Sequence, residues 1–204
     1  MTGAGPERCH SPTEAWCLDR PAQFCEQERL GAFPEAVEDH ERYWEPLRDT
    51  YGRYSEACPD AEAISQLVSL GAILELGAGN GYWARLMRDR GGDVIAYDRR
   101  LRPQTWSDVL PGDESALSAH TDRTLLFVMP PRPNDFGRVL GGWRGTRFAI
   151  VTRSVFPFGI DDRNPDAFAD EVDAIDEGGW VREWERDLLP HGPTRVIFSL
   201  WSSV

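Results

Sequence analysis

The residues best suited to chemistry form one short run, Glu75-Leu76-Gly77-Ala78-Gly79-Asn80-Gly81. Glycine has no Cβ, so a glycine-rich turn between a strand and a helix lets backbone N–H groups approach a ligand closely. Two ligand classes use such a turn: dinucleotides and adenosyl sulfonium compounds. Dinucleotide sites favour G-x-G-x-x-G, where the third glycine lets the helix pack tightly on the strand. Here the spacing is Gly77-x-Gly79-x-Gly81, and Tyr82 stands where that third glycine would be, followed by Trp83. Two bulky aromatics at this junction suit a pyrophosphate poorly. The run also opens on an acid, Glu75, which attracts a cationic amino group. A second acid, Asp98, ends the next apolar run, where a carboxylate accepts hydrogen bonds from ribose hydroxyls. That placement serves both ligand classes, so Asp98 points to an adenosine-bearing cofactor without choosing between them.

The elements that must hold these residues alternate. A helix over 60–70 is capped by Asp60 and ended by Gly71. The apolar run Ala72–Leu76 reads as a buried strand, 81–90 as a helix closed by Gly91-Gly92, and 93–97 as a second strand. Trp106–Leu110 is expected as a short third strand and 114–120 as a short helix. Thr124–Val128 is a strand stopped by Pro130-Pro131, 136–143 a helix and 147–151 a strand. A helix over 164–177 follows, then strands over 181–188 and 195–201 that pair antiparallel at one edge. The expected fold class is α/β: a doubly wound, Rossmann-like, seven-stranded and mostly parallel sheet with an N-terminal helical cap. Residues 1–58 read as an irregular arm and cap, with a helix from Pro34 to about Gly52, and 59–204 as the Rossmann-like domain.

The stretch Ile73–Ala84 resembles the first motif of class I S-adenosylmethionine-dependent methyltransferases, and the resemblance runs through most of residues 54–201. Val94–Asp98 is similar to the second motif, 110–117 to the segment after the third strand, and Leu125–Pro131 to the fourth motif. Tyr54–Pro59 resembles a segment that precedes the fold in a little-described bacterial branch and folds over the cofactor. The resemblance implies S-adenosylmethionine as cofactor. It implies Glu75, Gly77, Ala78, Gly79, Tyr82, Asp98, Arg99, Asp113 and Met129 as its binding residues, with Asp113 at the adenine amino group. Trp106 is a further candidate to stack on adenine.

A sulfonium methyl group is already activated, so transfer needs donor and acceptor held in line and water excluded. A base helps only where the acceptor must lose a proton. Candidate catalytic groups are Tyr54, Asp135 and His191; Arg153 and Asp161 also follow strand ends. In amino-group methyltransferases acting on bases or glutamine, the fourth motif begins with a polar residue that accepts from the amine. Here Met129 stands there and cannot accept usefully, which disfavours such amines. The expected reaction is methyl transfer to an oxygen or nitrogen of a small molecule. The same cofactor in a cyclisation or rearrangement, and a non-catalytic partner protein, remain open; a nicotinamide oxidoreductase is disfavoured by Tyr82.

Composition sets the outer bounds. The formal net charge is −12 over 204 residues, read here as excluding a nucleic-acid substrate, with Arg99-Arg100-Leu101-Arg102 the one dense basic cluster. Lys is absent, as in proteins from GC-rich bacterial genomes. No apolar run nears the roughly 20 residues of a membrane span, so no membrane partner and a cytoplasmic location are expected. A homodimer is compatible with all of this. Cys9, Cys17, Cys25 and Cys58 form no tight C-x₂₋₄-C pair, so no metal is expected.

Overall fold

The structure, a computed structural model, describes residues 52–57, 59–130, 133–154, 175, 179–188 and 195–204, with backbone only at 133–135, 153–154 and 195. Along the chain lie α1 (Ala61–Ser69), β1 (Ile73–Leu76), α2 (Tyr82–Arg88), β2 (Val94–Asp98) and β3 (Leu110–Pro111). A 3-10 helix (Glu114–Ala119), β4 (Thr124–Val128), α3 (Pro133–Gly142), β5 (Arg147–Ser154), β6 (Trp180–Asp187) and β7 (Arg195–Ser203) follow.

Local chemistry sets the boundaries. Asp60 caps α1 by accepting from the Ala63 N–H at 2.8 Å, and Gly71, at φ +92°, ends it in the left-handed conformation. The seven strands form one sheet in the order β3-β2-β1-β4-β5-β7-β6. The first five strands are parallel, and β7 runs antiparallel to both neighbours. This is the 3-2-1-4-5-6 doubly wound order with one antiparallel strand inserted. Successive residues along a strand face opposite layers. Ile73, Leu126 and Ala149 join Ile64, Leu67, Trp83 and Met87 in one core cluster. Leu74, Leu125 and Phe148 join Phe136, Leu140 and Trp143 in the other. Helices cover both faces, as a buried parallel sheet requires.

The α/β expectation holds, with local corrections. The third strand is only two residues long, because the residues expected to build it spend their polar groups elsewhere. The Trp106 N–H donates to the Asn80 carbonyl at 2.8 Å, and an Arg88 guanidinium N–H donates to the Asp108 carbonyl at 3.0 Å. The helix after it is a 3-10 turn, nucleated by Asp113 accepting from the Ser115 N–H at 2.9 Å. β6 and β7 do pair antiparallel, but β7 inserts between β5 and β6, leaving β6 alone at the edge. The helix expected over 164–177 lies outside the described residues except for Ile175. Among the described residues no helix is long and apolar enough to cross a membrane.

Candidate functional site

The strand order reverses between β1 and β4, and such a switch point leaves a crevice at the carboxyl ends of the strands. A cavity of about 550 Å³ lies there. Its lining comes from the end of β1 and the glycine turn, from Asp98, Arg99, Arg100 and Arg102 where β2 ends, from Gly112–Glu114 after β3, and from Phe127–Pro130 where β4 ends. Phe136 and Val139 of α3 and residues 54–56 complete it.

The turn works differently from a phosphate cradle. Gly77, Gly79 and Gly81 all have positive φ, at +77°, +60° and +75°. The N–H groups of Gly77 and Ala78 both donate to the Tyr97 carbonyl, at 2.8 and 2.9 Å. Gly79 donates to Asp98 Oδ2 at 2.7 Å, Gly81 to the Ala78 carbonyl at 2.8 Å, and Tyr82 to Asn80 Oδ1 at 3.2 Å. These five amides are thus engaged inside the protein, and the glycines supply room rather than donors. A Cβ on Gly77 or Gly79 would meet no atom within 4 Å, so the floor above them is open. Gly81 differs: its Cβ would lie 2.8 Å from Val109 Cγ2 and 2.9 Å from Ser107 Oγ. That third glycine serves the packing of the 107–109 loop.

Two acids border the turn. Asp98 is fixed by accepting from Gly79 and, through Oδ1, from the Arg100 N–H at 2.7 Å. Glu75 is 1% exposed and its Oε2 has no hydrogen-bond partner. Burial pushes its carboxyl up to about 8, against the opposing pull of Arg88 and of the Ala84 backbone N–H.

A strap of residues 52–57 closes one side. Asn80, a buried polar residue, donates from Nδ2 to the Arg53 carbonyl at 2.8 Å. Trp106 donates from Nε1 to the same carbonyl at 2.7 Å, and Trp83 donates to Ser55 Oγ at 3.1 Å. Tyr54 stacks on Trp106 with centroids 5.3 Å apart and meets Tyr82 edge-on at 5.3 Å. Trp106 therefore spends its face on Tyr54 and does not line the cavity, contrary to its expected place against adenine. Asn80 is the clasp that sequence reasoning missed; its signal was an amide side chain inside a glycine turn.

All nine residues expected to bind the cofactor line this one cavity: Glu75, Gly77, Ala78, Gly79, Tyr82, Asp98, Arg99, Asp113 and Met129. Asp113 is held below its usual range, first by its hydrogen bond from the Ser115 hydroxyl. Glu114 pairs with Arg138 and Arg99, which lower its carboxyl to about 2 and tie the 3-10 helix to α3. Met129, at φ +50°, is the one non-glycine residue with positive φ among those described. Its N–H donates to the Val151 carbonyl at 2.8 Å, which fixes the strained turn where β4 meets the cavity. Of the catalytic candidates, Tyr54 lines the cavity. Asp135 lies in the first turn of α3 with only its backbone described, and the side chain of Arg153 is likewise outside the description. His191 and Asp161 fall outside the described residues.

No protein-family model matches the chain, and no curated protein matches it. Solved structures of similar fold exist. A Streptococcus pneumoniae protein described as a candidate tRNA (m1A22) methyltransferase aligns at TM-score 0.48 and 16% identity, over 70% of this chain and 68% of its own. An rRNA methylase from Streptococcus thermophilus aligns at TM-score 0.41 and 14% identity, over 69% and 92%. A Streptococcus mutans protein described as a candidate S-adenosylmethionine-dependent methyltransferase aligns at TM-score 0.47 and 8% identity, over 69% and 48%. One expectation is corrected. Solved structures named for tRNA and rRNA methylation align with this chain, and the net charge of −12 neither excludes nucleic acid nor restricts the acceptor to small molecules. The physical reason is that net charge is an average, whereas Arg99, Arg100 and Arg102 all line the cavity.

Proposed function

We propose that the chain is an S-adenosylmethionine-dependent methyltransferase acting on an oxygen or nitrogen nucleophile. The observation that carries this reading is the pairing of an amide-spent glycine turn with a buried acid, Glu75, one of whose oxygens has no hydrogen-bond partner. A pyrophosphate needs free N–H donors, and the five amides named above are not free. A ligand carrying an ammonium and a sulfonium needs no such donor cradle, and its ammonium finds an acid of opposite charge in Glu75.

The residues present fit that cofactor. Asp98 keeps unused lone pairs for ribose hydroxyls while its amide contacts hold it still. Asp113 and Arg99 line the cavity near the turn after β3, which supports their place beside the adenosine. The open floor over Gly77 and Gly79 admits the ligand close to the backbone. Bound there, the cofactor supplies an already activated methyl group. The chain's own part is positioning and exclusion of water. Phe127, Val128, Met129, Pro130, Phe136 and Val139 give the cavity an apolar wall at the end of β4, next to where an acceptor must enter. Tyr54 lines the cavity from the strap, which supports a role in orienting that acceptor. Met129 offers no acceptor to an amine, so an exocyclic aromatic amine or amide is disfavoured.

The test is calorimetry with S-adenosylmethionine, S-adenosylhomocysteine and NADH, followed by incubation with methyl-labelled cofactor and separate RNA and small-molecule fractions. Micromolar binding of the first two and label in one fraction support the reading. Binding of NADH with neither sulfur compound overturns it.

A further inference from the structure

The run Arg99-Arg100-Leu101-Arg102 leads out of β2 into the segment that returns to β3. Arg99, Arg100 and Arg102 line the cavity, and Arg99 is held there by Glu114. The exposed guanidinium groups of Arg100 and Arg102 have no ion-pair partner among the described residues. That is unusual in a chain with 34 acidic and 22 basic side chains, where Arg85, Arg123, Arg138, Arg182 and Arg186 each meet a carboxylate. The acids beside them are already engaged: Asp98 accepts from the Gly79 and Arg100 amides, Asp113 from the Ser115 N–H, and Glu114 from Arg99 and Arg138. The same segment carries apolar surface. Large exposed apolar side chains among the described residues are Leu101, Trp106, Leu110, Val181 and Val204, and the first three fall here, at 51%, 38% and 46% exposed. None of those three lines the cavity.

A ligand that uses both features extends from the cavity across its rim. Single-stranded nucleic acid has that chemistry, with a phosphate in each nucleotide for the guanidinium groups and a flat base for the apolar side chains. Packing on Leu101 or Trp106 needs an unpaired base, and an unpaired nucleotide enters a cavity without the cost of leaving a duplex. An acidic peptide matches the charge but supplies no repeating flat group. A phosphorylated molecule small enough to sit inside the cavity leaves the apolar rim unused. The excess of acid elsewhere opposes a strand only weakly, because exposed charges more than about 8 Å apart are screened at physiological salt. We propose that the methyl acceptor is a nucleotide of a single-stranded nucleic acid, whose backbone phosphates meet Arg100 and Arg102 while Leu101 and Trp106 support a neighbouring base. An oxygen or nitrogen of that nucleotide bonds to the methyl carbon as the sulfur–methyl bond breaks, S-adenosylhomocysteine remains, and any proton on the acceptor atom leaves to water. This rests on the cofactor reading above and adds to it the class of the acceptor.

The experiment is fluorescence anisotropy of a labelled single-stranded RNA of mixed sequence and about 12 nucleotides, with the full chain saturated in S-adenosylhomocysteine, across a tenfold range of salt. Calorimetry on the same samples gives the affinity for S-adenosylhomocysteine. The expected Kd for the RNA is about 100 μM or tighter near physiological salt, with affinity falling about 25-fold over the salt range for two phosphates held. The Arg100→Gln/Arg102→Gln double variant is expected to lose about tenfold or more in RNA affinity and most of the salt dependence, and to bind S-adenosylhomocysteine within about threefold of the wild type. No RNA binding, RNA binding unchanged in the double variant, or equal loss of RNA and S-adenosylhomocysteine affinity overturns the proposal. Competition by AMP or by polyglutamate as effective as that by unlabelled RNA also overturns it, and the wild type alone decides that point even where the variant does not fold. In each of these outcomes the cofactor reading stands as long as S-adenosylhomocysteine binds the wild type; no binding of S-adenosylhomocysteine overturns both.

Discussion

The three glycines of the turn divide into two kinds, and alanine substitution separates them. At Gly81 an added methyl carries two costs. The left-handed φ of +75° costs an L-residue about 1–2 kcal/mol. The methyl also lands 2.8 Å from Val109 Cγ2 and 2.9 Å from Ser107 Oγ. Neither atom yields readily: valine is stiff at χ1, and the Ser107 hydroxyl donates to the Gly81 carbonyl at 3.1 Å. Overpacking of this sort adds about 1–3 kcal/mol, while a stiffer unfolded chain returns about 0.4–1 kcal/mol. Gly81→Ala is therefore expected to destabilise by about 3 kcal/mol, a fall in Tm of roughly 6–12 °C for a chain of this size. At Gly77 and Gly79 the methyl meets nothing within 4 Å, so only the conformational cost remains, net about 1 kcal/mol. Binding shows the opposite order. Gly77→Ala and Gly79→Ala put a methyl into the cavity floor and are expected to weaken S-adenosylhomocysteine binding about tenfold or more, whereas Gly81, which does not line the cavity, keeps its affinity within about threefold. Thermal denaturation and calorimetry on the three variants read both orders. Equal loss of stability at all three positions, or weakened binding only at Gly81, refutes the division.

Glu75→Gln tests burial of the acid through stability without ligand. The carboxyl's folded value of about 8 lies above its ordinary one, so its contribution is full below that ordinary value and is lost as pH rises through 8. The amide does not ionise, so the variant gains on the wild type by about 1.4 kcal/mol per pH unit across that window, less what water entry relieves. Urea denaturation at pH 5 and pH 8 checks this, and a pH-independent difference contradicts it. Asp98→Asn turns an N–H donor toward the Gly79 or Arg100 amide, so a loss of about 1–3 kcal/mol in stability and tenfold or more in cofactor affinity is expected. Melts that match the wild type contradict it. Trp83→Phe removes the donor to Ser55 Oγ and the Ala57 carbonyl, and faster proteolysis within 52–57 is the expected result. An unchanged cleavage rate contradicts that role for Trp83.

The unit β1–turn–α2 and the acid ending β2 were legible because each rests on local rules: an apolar run, glycine spacing and a strand-end carboxylate. Their convergence on one cavity followed from parallel order. What was not legible depends on partners distant in sequence. Trp106 reads as a candidate to stack on adenine, yet Tyr54, far upstream, stacks on it. The third strand loses its backbone groups to Asn80 and Arg88. Which of the last two strands sits inside the sheet had a usable signal. β6 carries Arg182, Glu183, Glu185 and Asp187, the charged pattern of an edge, whereas β7 buries Val196, Phe198 and Leu200. The charge argument failed for a different reason, since a whole-chain sum says little about three arginines lining one cavity.

The proposed seat of S-adenosylmethionine is this cavity, across the glycine turn. The most direct measurement is a crystal structure of the chain with S-adenosylhomocysteine. The expected complex has the ribose against Asp98, the ligand body over Gly77 and Gly79, and the amino group at the Glu75 end of the cavity. A ligand seated elsewhere, or one that places a negatively charged group at Glu75, contradicts it.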